Sequence, residues 1–419
     1  MKKVLLGTSA LVGASMLAGG ANAMPIQSFD DGGEPILTAS IVMQFEAGIA
    51  DNDDLRNAGV FPAGRRDGRF VSGRFAEIWF QGEMTADNGL TYGARISLAA
   101  DTPTRTNTYP GRKYIYFSGG WGSLEMGDWI GATSTLSSTP IIKEVAGNGT
   151  FDHAFGEYFV VPGLGSQGYR FVNWAGWFEF GTKITYYTPV FAGFQAGISY
   201  SPTTDNQGNS LSNRGGIAGI GGTGPALTNN GGFKDAIGVG VKWEGDLGPV
   251  GVRVTWAGLF SDPDTAFACG GAVNCANIPG TAIGANPQRE GQNTWELGGQ
   301  LTYGGFALTM AYFDDNDTGS LVGSNSDTTG FGGTLNYTFG PAIVGVVYYD
   351  TEMEANDMDG VLGGATQSAD FQGYGFTAGY TIATGLKWYA DVMHADFNGP
   401  NAGQSAEGWT GYTGVYVSF

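Results

Sequence analysis

A two-residue alternation of apolar and polar side chains runs through most of this chain, and it never gives way to a helical period. Leu37, Ala39, Ile41, Met43 and Phe45 alternate with Thr38, Ser40, Gln44 and Glu46. Leu90, Tyr92, Ala94, Ile96 and Leu98 alternate with Thr91, Gly93, Arg95 and Ser97. The same beat returns at 194–200, 250–256, 295–303, 331–339 and 374–382. Successive side chains of a strand point to opposite faces, so each stretch predicts a strand with one apolar and one polar face. Such a chain is all-β, and the question becomes what its apolar faces meet.

The connections alternate as regularly as the strands. Short turns fall at 86–89, 119–122, 190–193, 245–249, 304–305, 340–342 and 383–385. Between them lie long polar loops at 50–69, 101–111, 131–178, 203–233, 261–293, 315–329, 353–369 and 397–407. Seven turns and eight loops make fifteen connections, and hence sixteen strands. Short turns on one rim and long loops on the other describe a transmembrane antiparallel β-barrel with an even strand number. A soluble sandwich also gives each strand one apolar face. Three features favour the membrane: aromatic residues at strand ends, small polar residues on the opposite face, and too few large apolar residues for a solid core. A wide barrel turns its apolar face to lipid and its polar face to a water-filled lumen.

Composition narrows the class further. The chain has 73 glycines together with 26 Phe, 19 Tyr and 10 Trp, a load that fits many hairpins and neither collagen nor disorder. Lys2 and Lys3, the apolar run to Leu17 and Ala21-Asn22-Ala23 read as a signal peptide over residues 1–23, leaving a barrel over 24–419. Beyond it no apolar run reaches the roughly 20 residues of a spanning helix. Losing the two lysines leaves 18 basic against 39 acidic residues, which takes the formal charge from −19 to −21. An exported acidic chain repels nucleic acid and favours cations. Cys269 and Cys275 sit in a Gly/Asn/Pro-rich loop, where an oxidising compartment favours a small loop disulfide over free thiols or a metal pair. Two histidines, no G-x-S-x-G elbow and no P-loop argue against an enzyme.

The longest interruption of the rhythm, 131–178, has no period of its own. A connection of that length within a compact domain marks function.

The chain ends in Phe419 on an alternating last strand, which resembles the terminal signature of bacterial outer-membrane barrels recognised by their assembly machinery. Ile78-Trp79-Phe80-Gln81-Gly82-Glu83, the stretch from Tyr116 to Asp128 and that from Ile184 to Phe194 resemble the trimeric general porins of Gram-negative bacteria, particularly the alphaproteobacterial type. The resemblance implies an outer-membrane homotrimer of sixteen-stranded barrels that pass small hydrophilic solutes and ions by passive diffusion. It also implies a third long loop folded into the lumen, where loop acids face basic residues of the wall.

On that pattern Glu144, Asp152 and Glu157 are the constriction acids of the loop, and Arg95, Arg112 and Lys183, with Glu77, are the wall residues opposite. Opposed charges across a narrow wet passage orient polar solutes and penalise apolar ones. Acid excess points to weak cation selectivity. The wall is less basic than the family pattern, with Glu77 and Tyr114 where arginines are expected, while Arg65, Arg66, Arg69 and Arg74 gather at the outer rim, suited to lipopolysaccharide phosphates. Asp128 falls on the apolar parity, placing it at the loop hinge or a subunit contact. Asp314, Asp315 and Asp317 could offer oxygens to Ca²⁺ or Mg²⁺, though solvated loop acids fit the spacing better. A solute-selective channel and a surface adhesin or structural barrel with a closed lumen stay open as alternatives.

Overall fold

The computed structural model describes residues 24–28, 36–52, 68–99, 109–138, 182–203, 233–263, 290–316, 318, 327–354, 368–398 and 405–419. Seventeen strands and one short helix occupy them. Strand β1 is Met24–Ser28, β2 Ile36–Asn52, β3 Gly68–Thr85, β4 Thr91–Ala99, β5 Tyr109–Gly119 and β6 Gly122–Asp128. Helix α1 (Ala132–Leu136) follows, then β7 Thr182–Tyr187, β8 Phe194–Thr203, β9 Phe233–Leu247, β10 Val250–Pro263, β11 Gln292–Tyr303 and β12 Phe306–Asp314. The last five are β13 Thr328–Phe339, β14 Ala342–Glu354, β15 Ser368–Ala383, β16 Leu386–Asn398 and β17 Ala406–Ser418.

From β2 onward each strand pairs antiparallel with the next, and β17 pairs back onto β2. Sixteen strands therefore close into a barrel, as the connection count predicts. Strand β1 is an addition to that count. It pairs with the first residues of β2, Ser28 with Ile36 and Met24 with Ala39, along the edge that β17 takes over from Val42. The predicted short turns all join neighbouring strands at one rim. At one two-residue turn Gly304 and Gly305, between Tyr303 and Phe306, hold φ of 54° and 90°, the left-handed pair that such a hairpin favours.

The apolar parity faces out. Met43 is 55% and Phe376 51% exposed, and Phe45, Val254, Leu297 and Val392 share that face. Near the short turns Trp121 stacks on Tyr186, Phe194 packs on Trp243, and Phe306, Tyr337 and Phe339 form a row. Towards the opposite rim Trp295 meets Tyr312, and Tyr374 meets Trp409. An apolar band between two aromatic girdles is the outer surface of a membrane barrel, with amphipathic rings at headgroup level.

The inner face departs from the sequence expectation of small polar residues throughout. Phe313, Tyr349, Phe371, Met393, Phe397 and Tyr412 point inward on β12 and β14 to β17 and form a buried cluster with Phe70 of β3. An inward side chain need be polar only where it meets water, and residues that cover one another are stabilised by about 25 cal/mol per Å² of apolar surface buried.

The seam between β17 and β2 ends in a reciprocal pair, with Ile41 N donating to Phe419 O at 2.6 Å and Phe419 N donating to Ile41 O at 3.0 Å. Deleting Phe419 removes both bonds, each worth about 0.5–1.5 kcal/mol. The deleted barrel, refolded in detergent, is expected to unfold on heating at a lower temperature than wild type, measured by the loss of its compact gel mobility. Phe419→Leu keeps the backbone pair and stays near wild type.

Candidate functional site

The long interruption leaves the wall at the end of β6. Gly127, with φ +142°, makes the departure, and a Cβ there would lie 2.3 Å from the Lys113 carbonyl oxygen, so the position needs glycine. The next residue, Asp128, pairs with Lys113 Nζ at 3.4 Å and accepts a hydrogen bond from the Thr182 hydroxyl. One carboxylate thus ties β5, β6 and β7 together at the hinge.

Trp129 then turns into the lumen. Its ring meets Trp79 edge-on at 5.5 Å and stacks on Tyr114 at 4.9 Å. The Arg95 guanidinium lies 4.1 Å from the Trp79 ring centroid and 5.8 Å from that of Trp129, and Arg112 lies 5.4 Å from Trp129. Each cation–π contact contributes about 0.5–2 kcal/mol, and each aromatic pair about 0.5–1.5 kcal/mol beyond its area burial. The buried Lys183 ammonium donates to the Trp129 carbonyl. The three wall cations expected from the sequence therefore converge on the root of the loop.

Residues 131–138 continue across the inner wall. Ala132 N donates to Ser199 Oγ of β8 at 2.7 Å, and the Tyr187 hydroxyl of β7 donates to Thr135 Oγ1 at 2.9 Å. Ser138 N donates to Glu296 Oε1 of β11 at 3.0 Å, while its hydroxyl lies 2.7 Å from Thr255 Oγ1 of β10. Glycines floor this path. A Cβ on Gly240 would sit 2.5 Å from the Ala132 carbonyl, one on Gly298 2.6 Å from Ser138 Cβ, and one on Gly197 3.0 Å from Ala132 Cβ. Sequence reasoning assigned these glycines no role. Their shared inward parity on β8, β9 and β11 is the signal that could have marked them as a seat.

Other inward charges also escaped the sequence reading. Glu125 points inward on β6, close enough to Arg95 and Lys183 to feel both electrostatically. Its parity opposite Leu124 and Met126 could have found it. Lys242 and Glu244 of β9 pair at 3.4 Å, and Glu244 also pairs with Arg253 of β10, towards the short-turn rim. Glu77, expected on the wall from its parity, is inward and buried on β3. Basic side chains of the inner wall thus cluster on β4 to β10. From β11 round to β2 the described strands carry one lysine, Lys387, against Glu296, Asp391 and Glu46 on the inner face.

The loop acids Glu144, Asp152 and Glu157 lie outside the described residues, as do Cys269, Cys275, Asp317, Arg65, Arg66 and residues 1–23. Arg69 is exposed and outward on β3. Asp314 accepts the Asn316 amide at 2.9 Å and Asp315 accepts the Thr294 hydroxyl, so both carboxylates serve the turn after β12. No group of three metal-ligating side chains occurs among the described residues.

A family model described as Gram-negative porin matches residues 7–400. The chain belongs to that family. This porin is a protein of the outer membrane, and its closed barrel is the channel body. Uncharacterised proteins of Rickettsia felis and Rickettsia prowazekii are 25% and 24% identical to it, with all of each chain covered. An anion-selective porin from Comamonas acidovorans shares the fold at a TM-score of 0.59 and 14% identity, covering 92% of this chain and 100% of that one. OmpT, an outer membrane protein of Vibrio cholerae, matches at 0.55 and 12%, over 95% and 100% of the two chains; a trimer form of OmpT matches at 0.53.

Trp129 holds the loop root through two rings and two guanidinium groups, and truncating a buried tryptophan costs about 3–5 kcal/mol. Trp129→Ala is expected to loosen the loop while leaving the wall intact. Single-channel recording should show higher conductance and greater open-channel noise than wild type. Unchanged conductance and noise would mean that the glycine-floored path alone fixes the loop.

Proposed function

We propose that this porin forms a water-filled channel for passive diffusion of small hydrophilic solutes and ions, with weak cation selectivity. The observation that carries the reading is the seating of residues 131–138 on the inner wall, which brings the long connection into the lumen from its first residue. In this reading the remainder of 131–178 narrows the passage and presents Glu144, Asp152 and Glu157. Opposite them stands the cation-rich sector around Arg95 and Arg112, already stacked on aromatic rings. Acids on one side and cations on the other set up a transverse field, which lets ions and dipolar solutes pass more readily than apolar ones. The acid-rich arc from β11 to β2 and the mature charge of −21, from 18 basic and 39 acidic residues, favour cations overall.

Three barrels associate side by side in this proposal. Small outward residues of the closing seam, Ala39, Ala47 and Gly411, allow close approach of a second barrel; a Cβ on Gly411 would meet only Val392 Cγ2, at 3.9 Å. Lipopolysaccharide meets the outer rim, where Arg69 is exposed.

Reversal potentials across a planar bilayer in a salt gradient test the selectivity. A modest cation preference is expected, and an anion preference would overturn the charge argument. Replacing Asp152→Asn and Glu157→Gln together should lower the cation-to-anion permeability ratio. Swelling of liposomes in graded sugars tests the channel itself. Rates should fall smoothly with solute size; saturable uptake of one solute would favour a selective channel, and no swelling a closed structural barrel.

A further inference from the structure

The root of the long loop holds an acid among its cations. On the inner face Arg95 of β4, Tyr114 of β5, Gly127 of β6 and Lys183 of β7 stand in register in one row, and Gly93, Tyr116, Glu125 and Thr185 stand in the next. Gly127 gives the first row no side chain on β6. Glu125, the neighbouring inward residue of that strand, stands diagonal to Tyr114 and to Lys183, a spacing of about 7–8 Å that long side chains bridge.

Its carboxylate oxygen Oε2 is buried and has no hydrogen-bond partner. The charges of Arg95 and Lys183 act on that carboxylate, and its own charge acts on the Tyr114 and Tyr187 hydroxyls. Arg95 donates a hydrogen bond to the Tyr114 hydroxyl oxygen, and Lys183 donates to the Trp129 carbonyl. Tyr116, in register with Glu125, donates its hydroxyl to Glu83 of β3. Arg95, Tyr114, Tyr116, Lys183 and Tyr187 are therefore the ionisable groups facing Glu125 from β4, β5 and β7, and the loop root from Trp129 to Ser138 adds none.

Water and salt weaken the field of a buried charge less than that of an exposed one, so a carboxylate here acts on the passage more strongly than a solvated rim acid does. Arg95, Arg112 and Lys183 bring three positive charges to the loop root, and one carboxylate among them offsets one. We propose, on the reading of this porin as an open channel, that Glu125 is a specificity-determining residue: held charged between Arg95 and Lys183, it offsets the wall cations at the loop root and so admits small inorganic cations. Glu125 differs from the loop acids in belonging to a strand of the wall, so its position does not depend on the course of the loop beyond its root.

Reversal potentials across a planar bilayer in a KCl gradient test this. At about pH 8, Glu125→Gln should lower the cation-to-anion permeability ratio roughly two-fold, while Glu125→Asp, which keeps the charge, stays near wild type. The gap between wild type and Glu125→Gln should narrow as the pH falls to about 4, because protonation removes the same charge. Both channels contain His153 and His394, so the comparison cancels their titration. Equal ratios at about pH 8 in conducting channels would overturn the inference and leave the channel reading intact. A ratio lowered alike in Glu125→Gln and Glu125→Asp would also overturn it, since shape and not charge would then matter. A wild type that conducts no ions would overturn the channel reading, and this inference with it.

Discussion

A membrane barrel has no water in the hydrocarbon layer to satisfy its backbone, so each strand must find partners on both sides. That constraint forces the ring to close. Here the last strand returns to the first along Val42–Asn52, and the ladder ends in the reciprocal bonds between Ile41 and Phe419. Once closed, the ring has an inside and an outside, and the two-residue alternation assigns every side chain to one of them. The outward apolar band and the aromatic girdles follow directly.

Closure also creates the lumen, and the functional interior depends on how one connection uses it. The chain leaves β6 at a glycine whose backbone no side chain could share, and Asp128 ties the three strands at that hinge. Trp129 then folds into an aromatic pocket capped by two arginines. The next residues run over a floor of glycines whose missing side chains leave room for a second layer of backbone. The cations of the wall are thereby drawn to the loop root, and Lys183 spends its charge on a backbone carbonyl. The charge of the interior is lopsided as a result, with cations under the loop and acids on the far arc.

The rest of the inner surface is less uniformly polar than a water-filled tube requires. Aromatic side chains of β12 and β14 to β17 pack on one another, and at the seam they enclose two carboxylates. The same crowding that stabilises this sector removes water from Asp391 and Glu46.

The sequence by itself determined the strand count, the rim on which each connection lies and the face of almost every strand residue, because the period of two and the length of the turns are local properties. Leu37 to Glu46 and Tyr374 to Ile382 could be read correctly without any partner in view. It also located the interruption at 131–178 and the cations that gather there, since parity alone sends Arg95, Arg112 and Lys183 inward. What it could not carry were relations between residues far apart in the chain. That Gly197, Gly240 and Gly298 line up beneath one segment, and that β1 shares an edge of β2 with β17, depend on inter-strand register. The hydrogen bond from Tyr389 to Glu46, 343 residues earlier, depends on the ring being closed. Register and closure are set by contacts across the sheet, and only the tertiary structure decided them.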